Sequence, residues 1–298
     1  MSVKLTSRRA FTLIELLMVI VLSTIVMATL TKMIVGQQRF YRGAADMVET
    51  QSNVRDAVDL LASELRGISP ANGDILAPLS STAIDFLAPV GATVVCQSLP
   101  AVKKIVIPPV QLAANNGLSS WVTQPKTGDV VLLYGLGSTE LVSDNHWQAT
   151  SLNQNPTPNA TCTTAGLTTT VAEQSKGWTL QLVDAPGTDV PTGSAIRILR
   201  HVHYELYQAS DDNWYLGYYE CTFSGTCSSI QPVSGPYLPA ATSGQSGLTL
   251  AYFDNTGAVT TTPTAVARID ITTRAQPRND ILDGSHVDSL STTVMVRN

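Results

Sequence analysis

Charged residues are scarce in this chain. Only 14% of its 298 residues are Asp, Glu, Lys or Arg, and the formal net charge is −5. Lys4, Arg8 and Arg9 are the only charges before residue 11, and removing these three positive charges from the net charge of −5 leaves −8. Surfaces that bind nucleic acid are normally basic. We therefore do not expect nucleic acid among the partners.

Sequence motifs of catalysis are also missing. The chain has no P-loop, no G-x-S-x-G and no Cys-His constellation. The stretch Gly135–Glu140 has glutamate where the dinucleotide-binding fingerprint has its third glycine. We therefore expect a protein that is not an enzyme and that has no cofactor.

Histidine is rare, with four residues in the chain. His201, His203 and Glu205 alternate along a predicted strand and would share one face, where three such groups could hold a metal. No second histidine cluster completes such a site, and an exposed strand face explains the pattern equally well, so we predict no metal site. Residues 211–213 lack the ligand spacing of a calcium-binding loop and are more typical of a turn.

The chain has only four cysteines, and all of them follow the N-terminal apolar segment. An even number of cysteines in an exported domain is typical of disulfide bonds in an oxidising compartment. Cys221 and Cys227 bracket a short loop that contains glycine, which favours their pairing; Cys96 and Cys162 then pair by elimination. Cross-pairing and free thiols remain open alternatives.

Proline and glycine are both absent from residues 11–35, which form a long apolar run. Glu15 and Lys32 are its only ionisable residues. About 20 residues of helix span a bilayer core, so this run is long enough to cross a membrane. The basic residues Lys4, Arg8 and Arg9 precede it, which predicts a cytoplasmic N-terminus and a translocated remainder.

Other interpretations of the N-terminus fit less well. A secretory signal peptide would have a shorter apolar core and a small-x-small cleavage site after it, and none follows Val35. A plain signal anchor leaves Glu15 unexplained, since a charge at the centre of a membrane helix costs roughly 2.5–3.5 kcal/mol. A buried core helix of a soluble protein does not explain the charge asymmetry.

The stretch Ala10–Leu17, AFTLIELL, resembles the prepilin signal of type IV filament proteins, the pilins and pseudopilins. The resemblance implies that a prepilin peptidase cleaves between Ala10 and Phe11 and then N-methylates Phe11. The family usually has glycine at the position of Ala10, and alanine is small enough for the same protease subsite. The close match covers residue 8 to about residue 35.

The resemblance also implies a role for Glu15 in assembly. Cleavage leaves an ammonium on Phe11, and Glu15 of one subunit can neutralise Phe11 of its neighbour. Two charges about 4 Å apart attract by roughly 4 kcal/mol at an effective dielectric constant near 20, and any axial slip would leave both unpaired. The alternative is that Glu15 only reaches the cytoplasmic headgroups.

The pattern of apolar residues predicts that the helix continues beyond the membrane. One face is formed by Phe40, Ala44, Met47, Gln51, Val54, Val58, Leu61 and Leu65, at alternating spacings of four and three. Gly67 and Pro70 end the helix, and Gly36 and Gly43 are candidate bends. We expect the face to pack on the protein's own β-domain, with a coiled-coil seam as the alternative.

After Pro70 the apolar pattern changes to the alternation of strands. Turn residues at 210–213 and 254–257 predict two hairpins, and residues 153–165 and 232–247 predict long loops. Trp121, Trp147 and Trp214 are expected in the core. The predicted strands are Ala83–Leu87, Ala92–Gln97, Lys104–Ile107, Asp129–Tyr134, Trp178–Val183, Ala195–Tyr207, Asn213–Phe223, Leu248–Phe253, Ala265–Thr273 and Ser291–Val296.

The sequence therefore predicts an α+β, pilin-like fold, with a long N-terminal helix packed on antiparallel sheet. We predict four segments: a cytoplasmic leader (1–10), the transmembrane half of the helix (11–35), its soluble amphipathic half (36–67) and a β-rich periplasmic or extracellular domain (68–298).

Four stretches of the chain resemble W-type minor pilins and J-type minor pseudopilins of type II secretion: LASELRGI (61–68), LTLAYFDNTG (248–257), VARIDITTRA (266–275) and TTVMVRN (292–298). This resemblance implies a minor filament subunit of the bacterial inner membrane that initiates or caps assembly. The expected partners are other minor subunits, the major pilin, the prepilin peptidase, the inner-membrane assembly platform and membrane lipid. The alternative function is a membrane-anchored or filament-tip binding module, either an adhesin or a receptor for exported protein. Residues from about 90 to 195 match neither family.

Overall fold

The computed structural model describes residues 12–110, 117–139, 141–164, 166–168, 170–241, 245–277 and 286–297. A single long helix, α1 (Leu13–Leu65), leads into a series of antiparallel strands. The predicted fold class, α+β and pilin-like, is confirmed. The leader residues Lys4, Arg8, Arg9 and Ala10, and Phe11 after them, lie outside the described residues.

The strands form three antiparallel sheets. A seven-stranded sheet has the order β11-β10-β9-β1-β4, with β5 paired to both β9 and β6. A three-stranded sheet has the order β12-β13-β14, and a four-stranded sheet has the order β2-β3-β8-β7. The strands are β1 (Ala83–Val94), β2 (Gln97–Leu99), β3 (Lys104–Ile107), β4 (Ser120–Trp121), β5 (Val130–Gly135), β6 (His146–Ser151), β7 (Thr157–Ala160), β8 (Gly177–Gln181), β9 (Ala195–Gln208), β10 (Trp214–Cys221), β11 (Gln231–Tyr237), β12 (Leu248–Phe253), β13 (Arg268–Ala275) and β14 (Asp288–Met295). A four-residue helix, α2 (Val171–Gln174), precedes β8.

The C-terminal part of α1 packs on the sheets, as its apolar face predicts. Val54, Val58, Leu61 and Leu65 are buried in the first core, together with side chains of the seven-stranded and three-stranded sheets. The N-terminal part of the predicted face is different: Phe40 is 59% exposed and Gln51 is also exposed. The burial prediction is wrong there because the sheets pack against α1 mainly toward its C-terminal end.

The helix continues through both candidate bends, Gly36 and Gly43, and ends at Leu65. Pro70 then opens a short 3-10 helix. A buried ion pair fixes the segment that follows α1. Arg197 donates to both carboxylate oxygens of Asp74, at 3.2 and 2.6 Å, and the Ser69 N–H donates to the same carboxylate. The carboxylate thereby joins the end of α1 to strand β9.

Two predicted strands form one strand in the structure. The sequence predicted Ala83–Leu87 and Ala92–Gln97 as separate strands, but β1 runs from Ala83 to Val94, with an irregularity in its pairing between Pro89 and Gly91. Proline lacks an N–H, and a bulge lets the ladder with β9 continue past it.

Several strands lie where the sequence predicted loops or nothing. Strand β7 lies within 153–165, β11 covers most of the first part of 232–247, and β4 and β6 were not predicted. β11 and β7 are edge strands, and their prolines are tolerated because one side of an edge strand needs no ladder hydrogen bond.

Both predicted hairpin turns join neighbouring strands, β9 to β10 and β12 to β13, although the second connection also includes a 3-10 turn at Pro263–Ala265.

A second core lies away from α1. It consists of apolar side chains from the four-stranded sheet and from the adjoining ends of β1, β5 and β9, and Trp121 and Trp178 pack against it. The molecule therefore has one β-rich region bound to the helix and another built largely by residues 90–195.

Candidate assembly site

The helix begins with a hydrogen-bonded cap. Thr12 is the N-cap residue, with an extended backbone, and its side-chain oxygen accepts from the Glu15 N–H at 3.3 Å. Threonine is a preferred N-cap residue because its hydroxyl satisfies an N–H that has no partner inside the helix. Glu15 is the acidic residue of the first turn, where a carboxylate is favoured by the helix dipole.

Glu15 is exposed and, within the described part of the chain, forms no ion pair. The predicted partner, the amino group of Phe11, belongs to a residue whose position is outside the described residues. The carboxylate is thus available for contact with another chain.

The first 23 residues of α1 present apolar side chains in all directions. Residues 12–35 are exposed throughout, and the 18-residue window that qualifies the helix as a candidate membrane span has none of its residues buried. By length and composition α1 can cross a membrane. A helix that is apolar all round needs an apolar environment, either lipid or other helices.

Three threonine hydroxyls of this apolar segment form hydrogen bonds within the helix. Thr24, Thr29 and Thr31 each donate to a backbone carbonyl three or four residues earlier, at 2.8 Å. Such bonds remove the cost of placing an unpaired hydroxyl in an apolar layer. These threonines are therefore compatible with the membrane environment that the sequence predicts.

The histidines that were considered for a metal site contact carboxylates instead. On β9, His201 Nε2 lies 3.0 Å from Asp85 Oδ1, and His203 Nδ1 lies 2.8 Å from Asp85 Oδ2 on the neighbouring strand β1. His203 Nε2 also lies 3.4 Å from Glu205, and the ring stacks on Tyr219 with centroids 4.4 Å apart. Among the described residues no group of three or more His, Cys, Asp or Glu side chains is arranged to hold a metal ion.

Burial and ion pairing act against each other in this cluster. Burial alone would raise the pKa of Asp85, but the two histidines outweigh it and hold that pKa well below its usual value. Burial alone would lower the pKa of His203, but the contacts with Asp85 and Glu205 outweigh it and raise that pKa above its usual value. Asp85 could not be recognised as part of this cluster from the sequence, because it lies 116 residues before His201 and only the pairing of β1 with β9 brings them together.

Two disulfide bonds are present, Cys96–Cys162 and Cys221–Cys227. The first is buried beside the four-stranded sheet. The second closes the short turn that follows β10. Disulfide bonds are consistent with an oxidising compartment.

Comparison with known proteins adds one finding. The family model for the prokaryotic N-terminal methylation motif matches residues 5–31. No curated protein matches the chain, and no solved structure matches it. The match includes Phe11 and Glu15, and it supports an N-terminus of the kind found in prepilin-peptidase substrates of the type IV pilin class.

Proposed function

We propose that this chain is a subunit of a type IV pilus-like filament, produced by cleavage between Ala10 and Phe11 and N-methylation of Phe11. The observation that carries the proposal is the N-terminal methylation motif at residues 5–31, which coincides with the fully exposed apolar start of α1. On this proposal residues 1–10 are a cytoplasmic leader and 11–35 cross the inner membrane. Residues 36–67 continue the helix outside the membrane, and 68–298 form a periplasmic domain.

In the proposed assembly step, Glu15 of one subunit pairs with the methylated ammonium of Phe11 in the next. Glu15 is exposed and has no ion pair among the described residues, and the apolar surface around it lets a second helix pack alongside. In the filament interior an unpaired carboxylate would be costly, whereas the pair offsets most of that cost. The contact would fix the axial register of neighbouring subunits.

We further propose a minor subunit that helps to initiate or cap the filament, of the W type of pili or the J type of type II secretion. The four sequence stretches in residues 61–68 and 248–298 that resemble these proteins support it. Its partners would be the prepilin peptidase, the assembly platform, other minor subunits and the major pilin. In the resembling families the subunit at the extreme tip often lacks the acid, so a chain with Glu15 would sit below the tip.

Mass spectrometry of the mature N-terminus tests the processing step. In cells that contain a prepilin peptidase, we expect a chain that begins at Phe11 and carries one added methyl group. A purified protein that keeps residues 1–10 in such cells would contradict the proposal.

A Glu15→Gln variant tests the assembly step. Because glutamine cannot neutralise an ammonium, we expect normal membrane insertion but incorporation into sheared filaments reduced by at least about tenfold, which corresponds to a loss of 1.4 kcal/mol. Lys32→Gln, which removes the other charge of the apolar segment, is the matched control and should assemble normally. Equal incorporation of the two variants would contradict the role assigned to Glu15. A membrane-anchored binding module with no role in a filament would be absent from the sheared fraction as wild type and as either variant, and that result would support the alternative function.

A further inference from the structure

An open cleft of about 570 Å³ lies beside the second core. Its lining includes Pro109, Trp121, Val122, Gln124, Lys176 and Trp178. Strands β4 and β8 carry the tryptophans, whereas α1 packs mainly against β11, β13 and β14. The cleft therefore belongs to the part of the molecule that is not packed on the helix.

Trp121 and Trp178 pack against each other, and we call this pair of rings the tryptophan corner. Their ring centroids are 4.8 Å apart and the ring planes are inclined by 65°, an edge-to-face geometry that aromatic pairs favour. Both rings pack against the second core and also line the cleft. A ligand would thus meet apolar ring surface that is already ordered, which lowers the entropic cost of binding.

Gly91 makes room for this corner. It pairs with Trp121 across β1 and β4, and a Cβ at position 91 would lie 2.7 Å from Trp121 Cδ1. Only glycine lets the indole lie so close to the backbone of β1. The position of the ring is therefore set by the backbone as well as by its contacts in the core.

The charge of the cleft is opposite to that of the domain. Among the described residues that line the cleft, Lys176 is the one ionisable residue, and it forms no ion pair within that part of the chain. The chain after residue 10 has a net charge of −8, as counted above. An exposed lysine that forms no ion pair with a described carboxylate, in a lining that also contains Thr123 and Gln124, is suited to a ligand that carries a negative charge.

The shape and charge of the cleft favour a sugar polymer over other anionic ligands. Small molecules usually bind in pockets that enclose most of their surface, and this cleft is open to solvent. Nucleic acid needs several cations to bind its phosphates, and the described lining of the cleft offers one lysine. The C–H groups of a sugar ring pack on the electron-rich face of an indole, and its hydroxyls match Thr123 and Gln124, which also line the cleft.

We propose that this cleft binds an acidic polysaccharide, with one sugar ring on the tryptophan corner and a carboxylate of the chain near Lys176. The inference does not rest on filament assembly, since a protein that is anchored but never assembled would present the same cleft.

Isothermal titration calorimetry on the full chain in lipid nanodiscs tests the proposal. The probes are hexagalacturonate, the neutral hexasaccharide maltohexaose, and hexaglutamate as an acidic peptide. We expect saturable binding of hexagalacturonate that weakens as salt is added, because the charge contact is screened. Maltohexaose should bind more weakly, and hexaglutamate should bind least because it has no sugar ring to pack on the tryptophans.

Two substitutions locate the binding. Lys176→Gln should weaken hexagalacturonate binding by about two- to five-fold, the range expected for one exposed charge contact. Lys104→Gln is the matched control, since Lys104 is in the same region but does not line the cleft, and it should bind as the wild type does. Trp178→Phe keeps an aromatic ring in the core and should also weaken binding, with circular dichroism confirming that the variant is folded.

Three results would each overturn the proposal. One is an absence of saturable binding to hexagalacturonate at millimolar concentration. Another is an equal effect of the two lysine substitutions. The third is tighter binding of hexaglutamate, which would identify the cleft as a peptide site.

Discussion

Asp85 has one carboxylate oxygen for each of two histidines, and this arrangement joins two central strands. β1 supplies the acid and β9 supplies His201 and His203. Exposed ion pairs contribute little to stability, but the side chain of His203 is only 9% exposed and is covered by Tyr219. The cluster therefore makes part of the sheet's stability depend on protonation.

The two pKa shifts predict a pH window for that stability. The pKa of His203 is raised, so its contribution is complete below about pH 6.5 and is lost as the pH rises through the pKa of the folded state. The pKa of Asp85 is lowered, so its contribution is present above about pH 3.8 and is lost as the pH falls through the pKa of the folded state. The contribution of the cluster should thus be largest in mildly acidic solution.

Thermal unfolding of the wild type and a His203→Gln variant between pH 4 and pH 9 checks this. We expect the difference between their unfolding midpoints to be largest near pH 5–6 and to shrink as the pH rises. His146→Gln is the control, because His146 is more exposed and contacts Asp189 at 3.5 Å. A difference between wild type and His203→Gln that does not change with pH would contradict the role assigned to the cluster.

At the scale of the elements, α1 is held by hydrogen bonds as well as by apolar packing. Tyr237 Oη donates to the carbonyl of Asn53 at 2.7 Å, and Thr273 Oγ1 donates to the carbonyl of Val54 at 3.0 Å. These donors come from strands of two different sheets, β11 and β13. Both sheets are therefore fixed to the same turn of the helix.

Leu61→Ala should show how much the packing of α1 on the sheets contributes to stability. Leu61 is fully buried in the first core, so its truncation leaves a cavity and should cost about 2–5 kcal/mol of unfolding free energy. Phe40→Ala removes a larger side chain from the same helix, but Phe40 is 59% exposed, and its truncation should change stability by less than about 0.5 kcal/mol. Urea unfolding of the full chain measures both, and similar losses for the two variants would contradict the observed packing.

The bounds of helices and strands were predicted best where the same apolar pattern continued through the whole element. The helix was predicted to within two residues at each end because its apolar run and the Gly67 and Pro70 stop signals agree. Strands β3 and β12 were predicted with their observed ends. β7 and β11 were missed because each contains proline, which is a turn signal in sequence and is harmless at a sheet edge.

Prediction of functional residues from the sequence has the same limit. Glu15 could be singled out from its local sequence, since a lone acid in an apolar run needs no structure to be noticed. The Asp85 cluster and the cleft at Trp121 and Trp178 could not, because strand pairing across long stretches of chain creates both. Local patterns can predict a hairpin, but they carry no information on which strands pair when these are far apart in the sequence.

At the scale of the whole molecule, the two disulfide bonds constrain different amounts of chain. Cys96–Cys162 spans 66 residues, whereas Cys221–Cys227 spans 6. In the loop-closure model a cross-link restricts the unfolded chain more when its loop is longer, giving about 4 kcal/mol for the first bond and about 2 kcal/mol for the second. The first bond should also protect the region built by residues 90–195, since it lies there.

Serine substitutions compare the two bonds. Replacing Cys96 and Cys162 together should lower the unfolding midpoint more than replacing Cys221 and Cys227 together, because more loop entropy returns to the unfolded state. The second pair serves as the matched control, and differential scanning calorimetry of both variants in the same lipid nanodiscs is the measurement. An equal or reversed effect would show that native-state packing around the turn after β10 outweighs loop length.

The unbroken helix has a mechanical consequence. Because α1 has no interruption from Leu13 to Leu65 and its far end is bonded to two sheets, it behaves as a rod, and a shift of one end along its axis shifts the other equally. Drawing residues 13–35 wholly out of a bilayer takes about 35 Å of travel at 1.5 Å per residue. If the chain joins a filament as proposed, the sheets would have to rise by that same distance, and each added subunit would need that much free clearance above the membrane.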